Sequence, residues 1–278
     1  MKKPDLSVVL STYNAVEWLQ KTLTGYMVQT FKDFEIVIAD DGSTEETALA
    51  IKELEKRMPV PLIHVWHKDE GFQKSRILNK ALLACNGEYI IMSDGDCIPR
   101  QDFVEVHNKN KEEGFFLSGG YFMLPMNISK AITEDDIVEQ RCFRETWLKE
   151  KGLKSSFKNR KLSAGKIEGA LLNRFTPTNA SWNGHNASGW KKDILAINGF
   201  DERMQYGGQD RELGERLMNY GLKSKQIRYS AVCVHLDHPR GYKTKESINF
   251  NKNIRKETRN SRRSFTPYGI NKTRAKVL

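Results

Sequence analysis

The sequence predicts an α/β fold in which a mainly parallel sheet carries helices on both faces. Short apolar, β-branched runs alternate with segments of helical period throughout the first half of the chain. Several of those runs end in polar clusters, as the strands of an open parallel sheet do where they meet a ligand. The composition is that of a globular chain, 38% hydrophobic and 29% charged. At 278 residues the chain suits one large domain, with or without an appendage.

Residues 6–10 form the first apolar run, leaving through Ser11-Thr12-Tyr13-Asn14; Val16, Leu19, Leu23 and Met27 then recur at helical spacing. A second strand over 34–39 ends in Asp40-Asp41-Gly42-Ser43. Ser43 or Thr44, with Glu45 and Glu46 behind it, suits the start of a helix bearing Leu49 and Leu54. Residues 61–66 read as a third strand, 75–85 as a third helix, and 89–92 as a fourth strand running into Ser93-Asp94-Gly95-Asp96. The rhythm then breaks over 122–175. There, 123–127 reads as loop, 136–151 as helix and 154–166 as a basic, turn-rich stretch, together an insertion or flap over the site. Helices are expected again over 191–196 and 210–220, and one strand over 226–236.

Three polar clusters at three strand ends converge on one place. Asp-Gly is also ordinary turn chemistry, but three coincidences of this kind favour a site. Asp94 and Asp96 are two carboxylates one residue apart, a set that holds a hard divalent cation bridging phosphate oxygens. His235 and His238 follow the last expected strand. A mixed Asp/His set suits Mn²⁺ better than Mg²⁺ or Zn²⁺, although a lone histidine is ordinarily a surface or hydrogen-bonded one. Gly71-Phe72-Gln73-Lys74-Ser75-Arg76, with Asn79 and Lys80, opens a helix with cations and so offers a seat for a diphosphate. Gly207-Gly208-Gln209-Asp210 delivers a carboxylate to a helix start, where it is either a general base or a cap. There is no P-loop spacing, and no Gly-x-Gly-x-x-Gly follows the first strand, which argues against an ATPase or a dinucleotide dehydrogenase.

In order, Ser-Thr-Tyr-Asn, Asp-Asp-Gly-Ser, Gly-x-x-x-x-Arg-x-x-Asn, Asp-Gly-Asp, Asn-Gly-Phe-Asp and Gly-Gly-Gln-Asp resemble an inverting family 2 glycosyltransferase of the GT-A fold. The second half is similar to its galactosyltransferase-like and chondroitin-polymerase-like branch, and the likeness covers roughly residues 5–240. It implies that Thr12, Tyr13 and Asn14 line a nucleotide pocket, that Asp40 faces the uracil or ribose, and that Arg76 and Asn79 contact the base and diphosphate region. It also implies that Asp94 sits near the ribose and metal, that Asp96 ligates Mn²⁺ (or Mg²⁺), and that Asp210 is the base. Its spacing from Cys233 favours His238 as the third ligand, with His235 second. Trp182, Gly184, Asn186 and Trp190 match the stretch that shapes the sugar and acceptor side. Gln209 stands where the branch has Glu, and Tyr206 where it has Trp, so acceptor recognition should differ.

The implied reaction moves a hexose or N-acetylhexosamine, galactose or GalNAc favoured, from a UDP-sugar to a saccharide or lipid-linked acceptor in surface polysaccharide synthesis. A non-catalytic nucleotide-sugar binding module is the competing class. A sugar nucleotidyltransferase is a further one, but its glycine-rich activating loop is missing after the first strand.

Residues 1–239 are expected to form the catalytic domain and 240–278 a basic tail. The tail holds twelve Lys/Arg against two Asp/Glu and so accounts for the whole formal charge of +10. It could lie on an anionic membrane surface or in solvent; without an aromatic-rich motif, nucleic acid is not expected. Scattered cysteines, no signal-like leader and no long apolar run place the chain in the cytoplasm, or peripherally on the inner face of the membrane.

Overall fold

The computed structural model describes residues 3–239 and 243–272; the two ends of the predicted basic tail, 240–242 and 273–278, lie outside the described residues. The first half alternates as expected: β1 (Leu6–Thr12), α1 (Val16–Met27), β2 (Phe34–Asp40), α2 (Glu45–Glu55), β3 (Leu62–Trp66), α3 (Lys74–Ala84) and β4 (Tyr89–Asp94). Next come β5 (Cys97–Pro99), α4 (Phe103–Asn110), β6 (Phe115–Ser118) and β7 (Phe122–Met123). Five short helices follow: α5 (Met126–Ala131), α6 (Glu134–Val138), α7 (Glu145–Glu150), α8 (Arg160–Ser163) and α9 (Lys166–Phe175). The chain closes with β8 (Asn186–Trp190), α10 (Lys191–Ala196), α11 (Gln209–Asn219), β9 (Lys223–Gln226), β10 (Cys233–His235) and α12 (Lys245–Ser261).

Seven strands form the main sheet in the order β3-β2-β1-β4-β8-β6-β9. β1 pairs in parallel with β2 and β4, whereas β8 runs antiparallel between β4 and β6. Period-two alternation splits β1 between two cores. Leu6, Val8 and Leu10 pack with Leu19, Leu23 and Tyr26 of α1, while Val9 faces Ile77, Ala81 and Leu82 of α3. Both faces are thus covered, and β1, β2 and β4 end side by side at one edge, where the polar clusters fall.

A second sheet, β5-β10-β7, holds the other part of the site. The single strand expected over 226–236 is in fact two. β9 lies in the main sheet; the chain then turns at Ile227, whose carbonyl accepts from the amides of Ser230 and Ala231, and β10 enters the small sheet. The helix expected over 136–151 is also broken. Gln140 adopts a left-handed φ of 58°, so α6 stops and a 3₁₀ turn (Arg141–Phe143) buries Cys142 and Phe143. The insertion is not a loose flap over 122–150: Phe122, Leu124, Ile128, Ile137, Phe143 and Leu148 share an apolar cluster with Ile98 and Val234. The stretch 154–166 contains a 3₁₀ turn and α8, and the ten-residue α9 was not anticipated. α9 leaves Ile167, Leu171 and Phe175 exposed.

Residue 240 marks a change of charge rather than the end of the packed body. α12 begins at a Thr244 side-chain cap and lies on α11, with Asn251, Ile254 and Thr258 buried; Thr258 donates to Glu212 at 2.8 Å. Glu212 and Arg216 form a fully buried pair, and the guanidinium also donates to the carbonyls of Ile197 and Gly199. Among the described residues no helix is long and apolar enough to cross a membrane.

Candidate active site

The loops after β1 and β2 clasp each other. Asn14, in the left-handed region at φ 46°, accepts from the Thr44 amide, and its own amide donates to Ser43 Oγ. Gly42 has φ 93°, and a Cβ there would lie 2.6 Å from the Asp69 backbone, so glycine is required. In the Asp-Gly-Asp segment, Gly95 donates its amide to Ser11 O at 2.8 Å and a Cβ would stand 2.9 Å from that oxygen. The glycine lets the loop after β4 press against β1.

These ends line a cleft of about 1060 Å³ that includes Thr12, Tyr13, Asn14, Asp41, Lys74, Asp94, Asp96, His185, Gln209, His235 and His238. Asp94 accepts from Ser11 Oγ and from Lys74 Nζ, each at 2.7 Å. Burial alone would raise its pKa, but the Lys74 charge and hydrogen bond outweigh that and hold the carboxyl well below the usual range. Asp41, bonded to His67 and the Gln73 amide, is pushed up by burial despite those partners.

Asp96 faces two histidines, with His238 Nε2 at 3.1 Å and His235 Nε2 at 3.7 Å, their rings stacked 5.6 Å apart. Each ring donates Nδ1–H to a backbone carbonyl, His235 to Leu236 and His238 to Pro239, since a carbonyl can only accept. In the neutral rings both Nε2 lone pairs then point towards carboxylate oxygens. Either a proton or a cation between them would relieve such an acceptor-to-acceptor meeting, and a carbonyl-oriented imidazole is a common support of a metal-ligating histidine. The question left between the two histidines in the sequence thus finds both beside Asp96. Asp96, Cys97 and His235 also bring ligand atoms within 4.8 Å of one another. Burial drives the Cys97 thiol far up, however, which makes it a poor ligand.

Beside the cleft, next to Gln209 of its lining, Gly208 at φ 95° opens α11 and sets Asp210 in its first turn. The Asp210 carboxylate accepts from the Gly184 and Arg211 amides, each at 3.0 Å, and its charge acts on both Lys74 and His185. Gln209 lines the cleft and accepts from the Gly207 amide. Burial lowers the His185 pKa to about 4 against the opposing charges of Asp94 and Asp210, so its ring is neutral near pH 7.

Several expected site residues lie elsewhere. Asp40 is fully buried, bonded to His64 and the Ser43 amide, and its neighbour Asp41 takes the place at the cleft. Arg76 bonds to Glu70 and Gln73 outside the cleft, and Asn79 is buried against Phe200 and Glu202; the cation inside is Lys74. Trp182 is fully buried in the core against Phe116, and Gly184 serves through its amide. Trp190 stacks edge-on against Tyr89. Asn186 is also fully buried: it donates to Gly120 O and Ala231 O and accepts from His107 Nε2. The other His107 nitrogen then accepts from Ser188, and burial lowers its pKa to about 3. Lys74 and Asp41 fall in stretches that the sequence marks as site-forming without being singled out there, whereas His185, between Gly184 and Asn186, and Tyr121 were not anticipated.

Residues 7–120 match the family described as Glycosyl transferase family 2. An uncharacterized glycosyltransferase of Bacillus subtilis is 25% identical, over 88% of this chain and 68% of its own length. Chondroitin synthase of Escherichia coli is 26% identical over 84% of this chain, which spans 35% of that protein. Hyaluronan synthase of Pasteurella multocida is 25% identical over 90% of this chain, which spans 26% of it. Among solved structures, the mannosyltransferase PcManGT of Pyrobaculum calidifontis, in complex with GDP-Man and Mn²⁺, has a TM-score of 0.55 at 17% identity, covering 87% of this chain and 59% of that one. S. aureus TarS 1–349 in complex with UDP-GlcNAc has a TM-score of 0.56 at 13% identity, covering 86% and 60%. At these identities the structural likeness speaks to the fold, which is GT-A.

Proposed function

We propose that the chain is a family 2 glycosyltransferase, as the match over residues 7–120 and its relatives support, and that it transfers a hexose or N-acetylhexosamine, galactose or GalNAc favoured, from a UDP-sugar to an acceptor hydroxyl with inversion. Polysaccharide synthesis is the setting its relatives suggest. The observation that carries the reading is the paired approach of His235 and His238 to Asp96 at the strand-end cleft. These three residues would hold Mn²⁺ or Mg²⁺, and Asp94 stands beside them.

A bound divalent cation would neutralise charge on the donor diphosphate. Thr12, Tyr13, Asn14 and Asp41 line the part of the cleft suited to the nucleoside. Lys74 holds a fixed positive charge there, because Asp94 keeps it protonated against the opposing effect of burial. Asp210, oriented by two backbone amides, takes the proton of the acceptor hydroxyl as that oxygen bonds to the anomeric carbon. The bond from the anomeric carbon to the phosphate oxygen breaks on the opposite face. No group on the chain is required to form a covalent intermediate, and inversion follows. The basic C-terminal segment, where α12 exposes Lys252 and Arg259, offers a peripheral contact for an anionic membrane surface.

The test is to incubate the protein with Mn²⁺ and a panel of UDP-sugars and to measure UDP release. Release selective for one donor is expected. Tight UDP binding without release from any donor or acceptor would favour a binding module and overturn the catalytic reading.

A further inference from the structure

Beyond Tyr121 and His185, which line both spaces, the donor cleft opens into a second cavity of about 1040 Å³. The two differ sharply in charge. The donor side is lined by Glu17, Asp41, Glu46, Asp94 and Asp96, whereas the second cavity has no carboxylate and six cations: Lys154, Lys158, Lys161, Arg211, Arg228 and Arg255. Arg255 is held by Glu215 at 2.6 Å. The other five have no carboxylate partner among the described residues. Surface cations usually stand near acidic neighbours or spread apart, so a concave set of like charges is costly unless an anion enters.

Two details bear on this charge, although Lys161 Nζ donates to the Tyr121 carbonyl at 3.0 Å. Arg228 Nε is buried with no hydrogen-bond partner. Burial lowers the Lys161 pKa to about 8, and Arg228 and Lys158 add to the effect. The rest of the wall mixes hydroxyls and amides, including Ser118, Asn183 and Gln226, with the apolar side chains of Phe122, Met123, Pro125 and Leu153, and offers few aromatic rings on which bases could stack. The lining suits a glycan better than a nucleic acid.

Resting on the glycosyltransferase reading above, we propose that this cavity is the acceptor site and that the acceptor is an acidic glycan, its carboxylate or phosphate groups bound by Lys158, Lys161, Arg211 and Arg228. The acceptor enters from the basic side, and its hydroxyl reaches the donor past Tyr121 and His185. Asp210 neighbours Arg211 in α11, which joins the expected base to the basic wall.

The test measures binding to the intact protein with Mn²⁺ and UDP present. The probes are a short oligogalacturonate, an oligo(glycerol phosphate) and a neutral malto-oligosaccharide of matched length. We expect at least one acidic probe to bind about tenfold or more tighter than the neutral one, with affinity that falls as salt rises. The stronger acidic probe identifies carboxylate or phosphodiester as the source of charge. Lys158→Gln, at an exposed position, and Arg228→Gln should each weaken it several-fold and together about tenfold. Lys52→Gln, on α2 away from both cavities, should not. UDP affinity is read in parallel, reports that the variants are folded, and tests the donor reading separately. Equal binding of acidic and neutral probes, no binding of either, or acidic binding indifferent to Lys158 and Arg228, would overturn the proposal even where UDP binds normally.

Discussion

Asp210→Asn separates what the carboxylate does for chemistry from what it does for structure. Each oxygen accepts one backbone amide, from Gly184 and from Arg211. Asparagine keeps one acceptor and turns an NH₂ group towards the other N–H, so one of these bonds is lost. An unmet donor costs about 1–3 kcal/mol when buried, and the half-exposed position puts this one near ~1 kcal/mol. The chemical loss is larger. General-base catalysis is worth about 10²–10⁴ in rate, or roughly 3–5 kcal/mol of barrier. Initial rates of UDP release at saturating donor and Mn²⁺ should therefore fall by about 10²–10⁴. The UDP dissociation constant, measured by calorimetry, should stay within about threefold because the nucleoside wall is untouched. Thermal unfolding should show a drop matching the lost bond. A variant that releases UDP at the wild-type rate would refute the assignment of Asp210, whatever its stability.

Asp96→Asn should abolish stimulation by Mn²⁺ and any Mn²⁺-dependent rise in melting temperature; a retained rise would move the metal away from Asp96. Trp182→Ala should cost about 3–5 kcal/mol in denaturant unfolding, the range for a buried Trp, and should leave UDP affinity in the folded fraction unchanged. A loss of affinity without destabilisation would return Trp182 to the site. His107, neutral in the fold at a pKa of about 3 against ~6.5 when unfolded, gives full stability above about pH 6.5. That stability is lost as pH falls towards the folded value, by about 2 kcal/mol at about pH 5. Urea midpoints at about pH 7 and about pH 5 should converge in His107→Gln relative to wild type, and an unchanged gap would show that another group carries the acid loss.

The parallel half of the fold was legible because β1, β2 and β4 are buried on both faces and read as mainly apolar runs, broken only at Ser7 and Glu35, that end in polar residues. β8 was not legible. Asn-Ala-Ser-Gly-Trp has little strand character, and it is a strand because β4 and β6 flank it. At the site, residue types were easier to read than directions. Lys74 and Arg76 both open α3, and only the position of Asp94 sends Lys74 inward. Asp40 and Asp41 are adjacent, yet His64 and the Ser43 amide claim the first and leave the second at the cleft. Asn186 carried a recognisable motif, but His107 and two carbonyls make it a structural post.

The strand order also bears on how this chain can be made. The span that matches the family pattern ends at residue 120, yet β6 has no partner in that span, since it joins the sheet only through β8 and β9. During synthesis the first 120 residues can therefore assemble β3-β2-β1-β4 with the far side of β4 bare, a row of unpaired amides and carbonyls on an apolar strand. That edge stays a template for wrong pairing until β8 emerges. His235 of β10 arrives later still, so the strand-end cleft is completed last. A truncation at the family boundary would expose this edge for good, and the natural unit for expression extends at least through α12.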